Sequence, residues 1–376
     1  MTIFKKLWIL KGILFVAILI CSFEGYGQSS RKTIKTLLKS PDVDLDVLKC
    51  DRDWEDIVSY ATILQVDNHY VMYYRAVSFS HTPHYAYCYA VSDDGIHWEK
   101  PNLNIVTFNG STENNIISYN IDGVSVTCAN GTYWMIADRM YDKQGNTIRG
   151  LNLFKSTDGI HFEKDDRLKI PFFCDSQNEI LWDESSKTFK LYLRSWYKSE
   201  VKTIDYHHTH QYYRAVSLLE IPTLDYELVY SDSPLRLSGK NEPPSINKEL
   251  PVVLKNNSAT SDFDIYCSYV QKYRENLYIA YPINYYHTHT DNTKRGGTTD
   301  NDGYGTIGFW TSKDGRKFKE VKRDYITNNN NWMEFCIGHV ETEDMYIHYY
   351  VPYDNTHGKR KNTNAIKARI HYKKKK

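Results

Sequence analysis

The sequence predicts an all-β chain folded as a five-bladed β-propeller, on three observations. First, a short pattern recurs: Ser92-Asp93-Asp94-Gly95-Ile96-His97-Trp98, Ser156-Thr157-Asp158-Gly159-Ile160-His161-Phe162 and Ser312-Lys313-Asp314-Gly315-Arg316-Lys317-Phe318. Second, the residues between the copies read as short alternating strands in hairpin pairs, with almost no helical periodicity beyond residues 31–38. Third, tyrosine, whose flat half-polar side chain suits a pleated surface, occurs 32 times. Repeated units of short strands and turns are the signature of propeller blades.

The turn chemistry explains the repeat. In Asp-Gly the glycine takes the positive φ and the aspartate caps the local backbone, so an aromatic three residues past the glycine can pack under the turn. The gap between Asp158 and Asp314 is more than twice that between Asp94 and Asp158, which leaves room for one degraded copy, read as Tyr230-Ser231-Asp232-Ser233. A Tyr- or Phe-rich strand precedes each intact copy: Tyr85 to Val91, Leu151 to Lys155 and Thr306 to Thr311.

The inner hairpins follow in chain order. Tyr60 to Val66 and Tyr70 to Ala76 flank the Asp67-Asn68 turn, and Val124 to Ala129 and Tyr133 to Asp138 flank Asn130-Gly131, the strongest hairpin dipeptide. Glu179 to Trp182 pairs with Phe189 to Arg194, Ile265 to Lys272 with Leu277 to Tyr281, and Trp332 to Glu341 with Met345 to Val351. Residues 233–261 read as a long excursion and residues 288–305 as a loop near a rim. Five units fill the chain and leave no room for a second domain.

Composition is that of a globular protein with a full core: 41% hydrophobic and 25% charged. The formal net charge of +1 gives no electrostatic reason to expect nucleic acid as a partner. Lys5, Lys6 and Lys11 precede an apolar run from Gly12 to Cys21 and a small-x-small site at Gly25-Tyr26-Gly27. This reads as a signal peptide over 1–27, with Gln28 the first mature residue. The run is too short to span a bilayer, and Ile20 before Cys21 disfavours a lipoprotein. The expected organisation is a lead-in segment over 28–49 and the propeller over 50–372, exported to the periplasm or medium as a monomer without stable membrane insertion. Six cysteines remain after cleavage, scattered through strand-like runs. They are expected as buried thiols with room for one disulfide, and no CxxC pair points to zinc or redox chemistry.

Several motifs resemble a bacterial group assigned to the five-bladed propeller superfamily of glycoside hydrolases, whose wider clan includes arabinanases, xylosidases, invertases and levanases. They are Trp54-Glu55 ahead of a hairpin ending Tyr73-Tyr74-Arg75; Cys88-Tyr89-Ala90; Asn109-Gly110-Ser111 with Asn114-Asn115-Ile116; Asp175-Ser176-Gln177-Asn178 followed by Trp182-Asp183; Asp264-Ile265-Tyr266; and Asp302-Gly303. The resemblance spans roughly residues 50–350 and implies a funnel at the propeller axis that receives carboxylates from different blades. The clan's usual first-blade Asp-Pro motif is absent, and Trp54-Glu55-Asp56 stands near its position.

Glycoside cleavage needs one protonated carboxyl and one ionised one. Glu55, Asp175 and Asp264 each precede an inner-strand candidate and are the first catalytic candidates, with Asp122 and Glu334 as further contenders. Gln177 and Asn178 are candidate hydroxyl contacts. Arg75 and Arg194 end apolar strands, where they could hold an acid ionised or bind an anionic sugar. Tyr266, His287, Asp302 and Trp332 complete the expected binding set, with Trp332 as a stacking platform at the rim. The histidines His207, His208, His210, His287 and His289 have no acid or cysteine to complete a familiar ligand set, so no metal is expected, and no other cofactor. No phosphate loop, serine-nucleophile elbow or zincin helix occurs. The leading expectation is an exported glycoside hydrolase acting on a carbohydrate substrate. The alternative is a glycan-binding propeller without catalysis. A six-bladed sialidase-like fold, considered because the Asp-Gly turns resemble Asp boxes, fits less well with five units and no clear arginine triad.

Overall fold

The computed structural model describes residues 25–119, 121–141, 147–170, 174, 176–198, 212–228, 250–256, 263–287, 302–360, 363 and 365–373. Five antiparallel sheets form the five blades of a propeller. Blade one holds Ile57–Val66, His69–Val77, Tyr85–Ser92 and Ile116–Tyr119 from the axis outward. Blade two has a broken inner strand, Ile121–Asp122 and Ser125–Ala129, followed by Thr132–Tyr141, Thr147–Ser156 and Glu163–Ile170. The short Tyr226–Glu227 strand adds to this blade in parallel.

Blade three is Glu179–Asp183, Thr188–Lys198, Tyr212–Ile221 and Val252–Leu254. Blade four is Phe263–Arg274, Leu277–His287, Gly303–Ser312 and Lys319–Ile326. Blade five starts with Met333–Phe335 and Val340–Glu341, then Met345–Pro352 and Ala365–Tyr372. Its outer strand is Val43–Lys49, paired antiparallel with Ala365–Tyr372. Residues 43–49, expected as part of a lead-in, thus belong to the propeller and close the ring by joining both ends of the chain in one sheet. Closure of this kind covers an edge that would otherwise be open for pairing. The helix Gln28–Leu37 buries Ile34 and Leu37 against the same region, and the Tyr325 hydroxyl donates to the Leu37 carbonyl at 2.6 Å.

The three Asp-Gly turns fold alike. Ser92 Oγ accepts from the Gly95 N–H at 2.9 Å, and Asp94 Oδ1 accepts from the N–H groups of Ile96 and His97 at 2.7 and 2.8 Å. The Ser156–His161 and Ser312–Lys317 turns repeat the pattern. Each glycine carbonyl accepts from a tyrosine hydroxyl on the second strand of the preceding blade: Tyr349 to Gly95 at 2.6 Å, Tyr73 to Gly159 at 2.8 Å and Tyr192 to Gly315 at 2.9 Å. The aromatic after each turn meets that same ring, as Trp98 on Tyr349, Phe162 on Tyr73 and Phe318 on Tyr192. The repeat is therefore an inter-blade latch, and it uses tyrosine because the ring fills the gap while the hydroxyl reaches the turn. The expected remnant at 230–233 lies outside the described residues.

Apolar side chains fill the spaces between neighbouring blades. The six described cysteines form no disulfide, and Cys88, Cys174, Cys267 and Cys336 are buried. No described helix is long and apolar enough to cross a membrane.

Candidate functional site

The first residues of the inner strands gather at one end of the axis. In blade two this position is Asp122, in blade four Asp264 and Tyr266, and in blade five Glu334; the three acids are at most 2% exposed. Burying carboxylates is costly unless they are paired, and arginines supply the pairs. Arg75, from the second strand of blade one, donates through Nη1 to Asp122 Oδ1 at 3.0 Å and through Nε to Ser59 Oγ at 2.9 Å. Arg214 donates to Asp264 Oδ2 from Nη1 at 3.1 Å and from its backbone N–H at 3.2 Å. Arg360 donates to Glu334 Oε1 at 3.3 Å, an oxygen that also accepts from Trp332 Nε1 at 3.2 Å.

Aromatic rings join these pairs into one cluster. The Arg75 guanidinium lies 3.9 Å over the Tyr60 ring and that of Arg194 lies 3.9 Å over Tyr266, both stacked as cation–π contacts. Arg194 Nε also donates to the Tyr266 carbonyl at 2.8 Å. His357 Nε2 is 3.1 Å from the Tyr266 hydroxyl, and its ring packs edge-on against Trp332.

Tyr60 holds a left-handed φ of 48° at a bulge where the blade-one register slips between Ser59 and Thr62. Strained non-glycine backbone of this kind concentrates at functional sites. Burial opposes the charge of Arg75, but Asp122, Tyr60, Glu334 and Tyr353 outweigh it and hold the guanidinium firmly protonated. Burial likewise pushes the Tyr353 phenol up, so it stays a neutral donor at ordinary pH.

The sequence candidates divide. Arg75, Arg194, Asp264 and Tyr266 meet in this cluster, as do the contenders Asp122 and Glu334. Glu55 does not. Its carboxylate is buried, but it accepts from Tyr74 OH at 2.7 Å, Lys100 Nζ at 2.6 Å and the Asp51 N–H at 3.1 Å, all away from the axial acids. The blade-one inner strand starts at Ile57, two residues past Glu55, and it is its Ser59 and Tyr60 that contact Arg75. Asp175 lies outside the described residues, and nothing is described of the His287 side chain.

Gln177 donates from Nε2 to the carbonyls of Tyr60 and Val124 at 2.9 and 2.8 Å, tying blades one, two and three together. Asn178 Oδ1 accepts the Arg194 N–H, and its Nδ2 donates to the Ser176 carbonyl. These two amides brace the wall of the funnel. Trp332, expected at the rim, is fully buried between Tyr266, Tyr285 and His357. Asp302 accepts from the N–H groups of Gly303 and Gly358, both at 2.8 Å, and from Thr356 Oγ1 at 2.9 Å, which holds the loop that carries His357 and Arg360.

Sequence reasoning missed Tyr60, Arg214, Tyr353, His357 and Arg360. No local motif marks them, though Tyr353 and His357 close the fifth hairpin and its following loop. Further along the same inner strands, a cavity of about 640 Å³ is lined by Leu64, Thr127, Trp182, Gln271 and His339. It sits at the other end of the axis, and Asp122, Asp264 and Glu334 do not line it, whereas Glu179, Glu184 and Glu275 do. No group of three or more His, Cys, Asp or Glu among the described residues is arranged to hold a metal ion.

The fold is a five-bladed β-propeller, and solved structures resemble it in fold. One, described as a glycoside hydrolase, superposes with a TM-score of 0.54 at 10% identity, covering 92% of this chain and 96% of the other. A second, described as a BT0996 RGII complex, gives a TM-score of 0.52 at 10% identity over 90% of this chain and 94% of the other. A third is an N-acetylgalactosamine deacetylase from F. plautii in complex with blood group B trisaccharide, with a TM-score of 0.52 at 12% identity over 88% and 94%. At these identities the likeness is one of fold. No family model matches the chain. No curated protein matches it in sequence.

Proposed function

We propose that the protein is an exported carbohydrate-active enzyme, a glycoside hydrolase that works at the axial cluster on an oligo- or polysaccharide. The observation that carries this reading is that Asp122, Asp264 and Glu334 each lie near the start of an inner strand in a different blade, buried and in contact with an arginine. The shared architecture with a glycoside hydrolase and with a protein held in complex with a trisaccharide supports it. The mature chain begins at Gln28 in this reading, and N-terminal sequencing of exported protein checks that point.

Hydrolysis of a glycosidic bond asks one carboxyl to exchange a proton with the leaving oxygen and another to stay ionised. Asp122 beside Arg75 and Asp264 beside Arg214 are the ionised members, because an adjacent guanidinium favours the charged carboxylate. Glu334 also touches a guanidinium, that of Arg360 at Oε1, and is assigned the proton exchange on its other oxygen: among the described residues the buried Oε2 has no hydrogen-bond partner. A buried polar atom left unsatisfied in this way is what a bound substrate hydroxyl, leaving oxygen or water would complete.

The test is turnover on a panel of plant, algal and host glycans with product analysis, repeated with Glu334→Gln and Asp122→Asn. Loss of positioned proton transfer lowers kcat by on the order of 10²–10⁴, with the melting temperature of the Gln variant close to wild type. Full activity in Glu334→Gln would remove Glu334 from the mechanism. Glycan binding without turnover by the wild type would favour the non-catalytic alternative.

A further inference from the structure

We propose that the site is built for an acidic sugar, whose carboxylate (or sulfate) is held by Arg75, Arg360 and the hydroxyl of Tyr353 beside Glu334. The inference rests on the carbohydrate reading above and names the substrate class.

The donors are the argument. Arg75 commits Nε to Ser59 and Nη1 to Asp122, and among the described residues no acceptor takes Nη2. Arg360 commits Nε to the His357 carbonyl at 2.8 Å and Nη1 to Glu334, again leaving Nη2 without an acceptor among the described residues. Both side chains are partly accessible, at 12% and 24% exposure, whereas the acids they contact are at most 2% exposed. The Tyr353 hydroxyl is buried beside Ser59, the residue whose hydroxyl Arg75 binds, and among the described residues it makes no well-formed hydrogen bond.

These groups belong to one locality. The Arg360 guanidinium is 5.9 Å from the Tyr353 ring, and Arg75 and Arg360 both lie close enough to Glu334 to sense its charge. Each guanidinium is also fixed by aromatic rings, Arg75 over Tyr60 at 3.9 Å and Arg360 against Trp332 at 5.7 Å, so the donor fork is preorganised. Two arginine forks and a phenol that stays protonated match an oxyanion with several acceptor lone pairs. A neutral sugar hydroxyl needs no such charge. The Arg75–Asp122 and Arg360–Glu334 contacts each use a single guanidinium N–H.

The test is calorimetric binding of uronic-acid-containing and sulfated oligosaccharides to the mature chain, each against its carboxyl-reduced or desulfated counterpart, with inorganic phosphate as a separate probe. The expected result is at least one acidic oligosaccharide bound about tenfold tighter than its neutral counterpart, with the advantage shrinking as salt rises. Arg360→Gln and Arg75→Gln should reduce that preference to about twofold or less. Tyr353→Phe, which keeps the ring and so the packing, should cut the affinity for the acidic form selectively.

Equal binding of acidic and neutral members, or turnover confined to neutral glycans, overturns the acidic-sugar proposal and leaves the hydrolase reading standing. Failure of every acidic member to bind overturns it as well. Phosphate that binds through the same two arginines and is consumed during turnover assigns the subsite to a free oxyanion and overturns the sugar-borne one. An acidic glycan that binds selectively but is never cleaved upholds the subsite and removes the hydrolase reading.

Discussion

Arg75 of blade one and Asp122 of blade two meet at 3.0 Å across the blade boundary, and the arginine is stacked on Tyr60 as it does so. The pair is both a joint between blades and part of the axial cluster. Asp122→Ala leaves the guanidinium in a nearly dry setting without its acid, and breaking a buried pair from one side costs about 3–5 kcal/mol. Denaturant unfolding should show a loss of that size, and Asp122→Asn a smaller one. A loss under about 1 kcal/mol would show that the joint is not structural.

The tyrosine latches make a second prediction. Tyr73→Phe removes one buried hydroxyl-to-carbonyl hydrogen bond and should cost about 1 kcal/mol. Gly159→Ala should cost more, because Gly159 has φ 74° and a Cβ there would stand 2.7 Å from the Tyr73 hydroxyl oxygen. Thermal unfolding of the two variants ranks them; the reverse order would mean the turn relaxes around the new methyl.

Blade five carries two buried histidines, His348 and His371, and the half-buried His339, and they set the response to acid. Burial pushes His339 down to about 4, with Glu341 opposing the shift, and His371 down to about 4, with Arg369 adding to it. His348, which bonds to the Tyr273 hydroxyl, is driven well below the ordinary histidine range by burial and then by His339 and His371. The unfolded chain binds these protons near pH 6.5 and the folded one does not. Stability is therefore full above pH 6.5 and falls as the pH drops towards 4, by up to about 1.4 kcal/mol per pH unit for each histidine. Unfolding at pH 7.5 and 5.0 should show the loss, and His339→Gln should lessen it. Equal stability at the two pH values would show that these histidines charge inside the fold.

Ring closure gives the fourth prediction. Deleting residues up to Lys49 removes the outer strand of blade five and uncovers the backbone edge of Ala365–Tyr372. The truncated chain should aggregate in size-exclusion chromatography, since an open edge is a template for pairing. Deletion of residues 1–27 alone should leave a folded species. A monomeric, cooperatively unfolding chain lacking 28–49 would show that the closing strand is dispensable.

Much of the architecture was legible because it is local. Asp94-Gly95, Asp158-Gly159 and Asp314-Gly315 announce turns through the left-handed φ that glycine accepts, and Asn130-Gly131 announces a hairpin. The role of the tyrosines was legible only in part. Their abundance pointed to strands, but that Tyr349, Tyr73 and Tyr192 each lock the next blade's turn depends on how sheets pack.

By itself the sequence determined the strands, the turns and so the number of blades, since strand alternation and turn chemistry reside in neighbouring residues. Only the tertiary structure decided which acids meet. Glu55 and Glu334 both stand close to the start of an inner strand, yet register leaves one with Lys100 and Tyr74 and brings the other to the axis with Arg360. A one-residue change of register or a bulge such as that at Ser59–Thr62 redirects every side chain beyond it. Arg75, Arg214 and Arg360 are far apart along the chain, and nothing short of closing the ring brings them together.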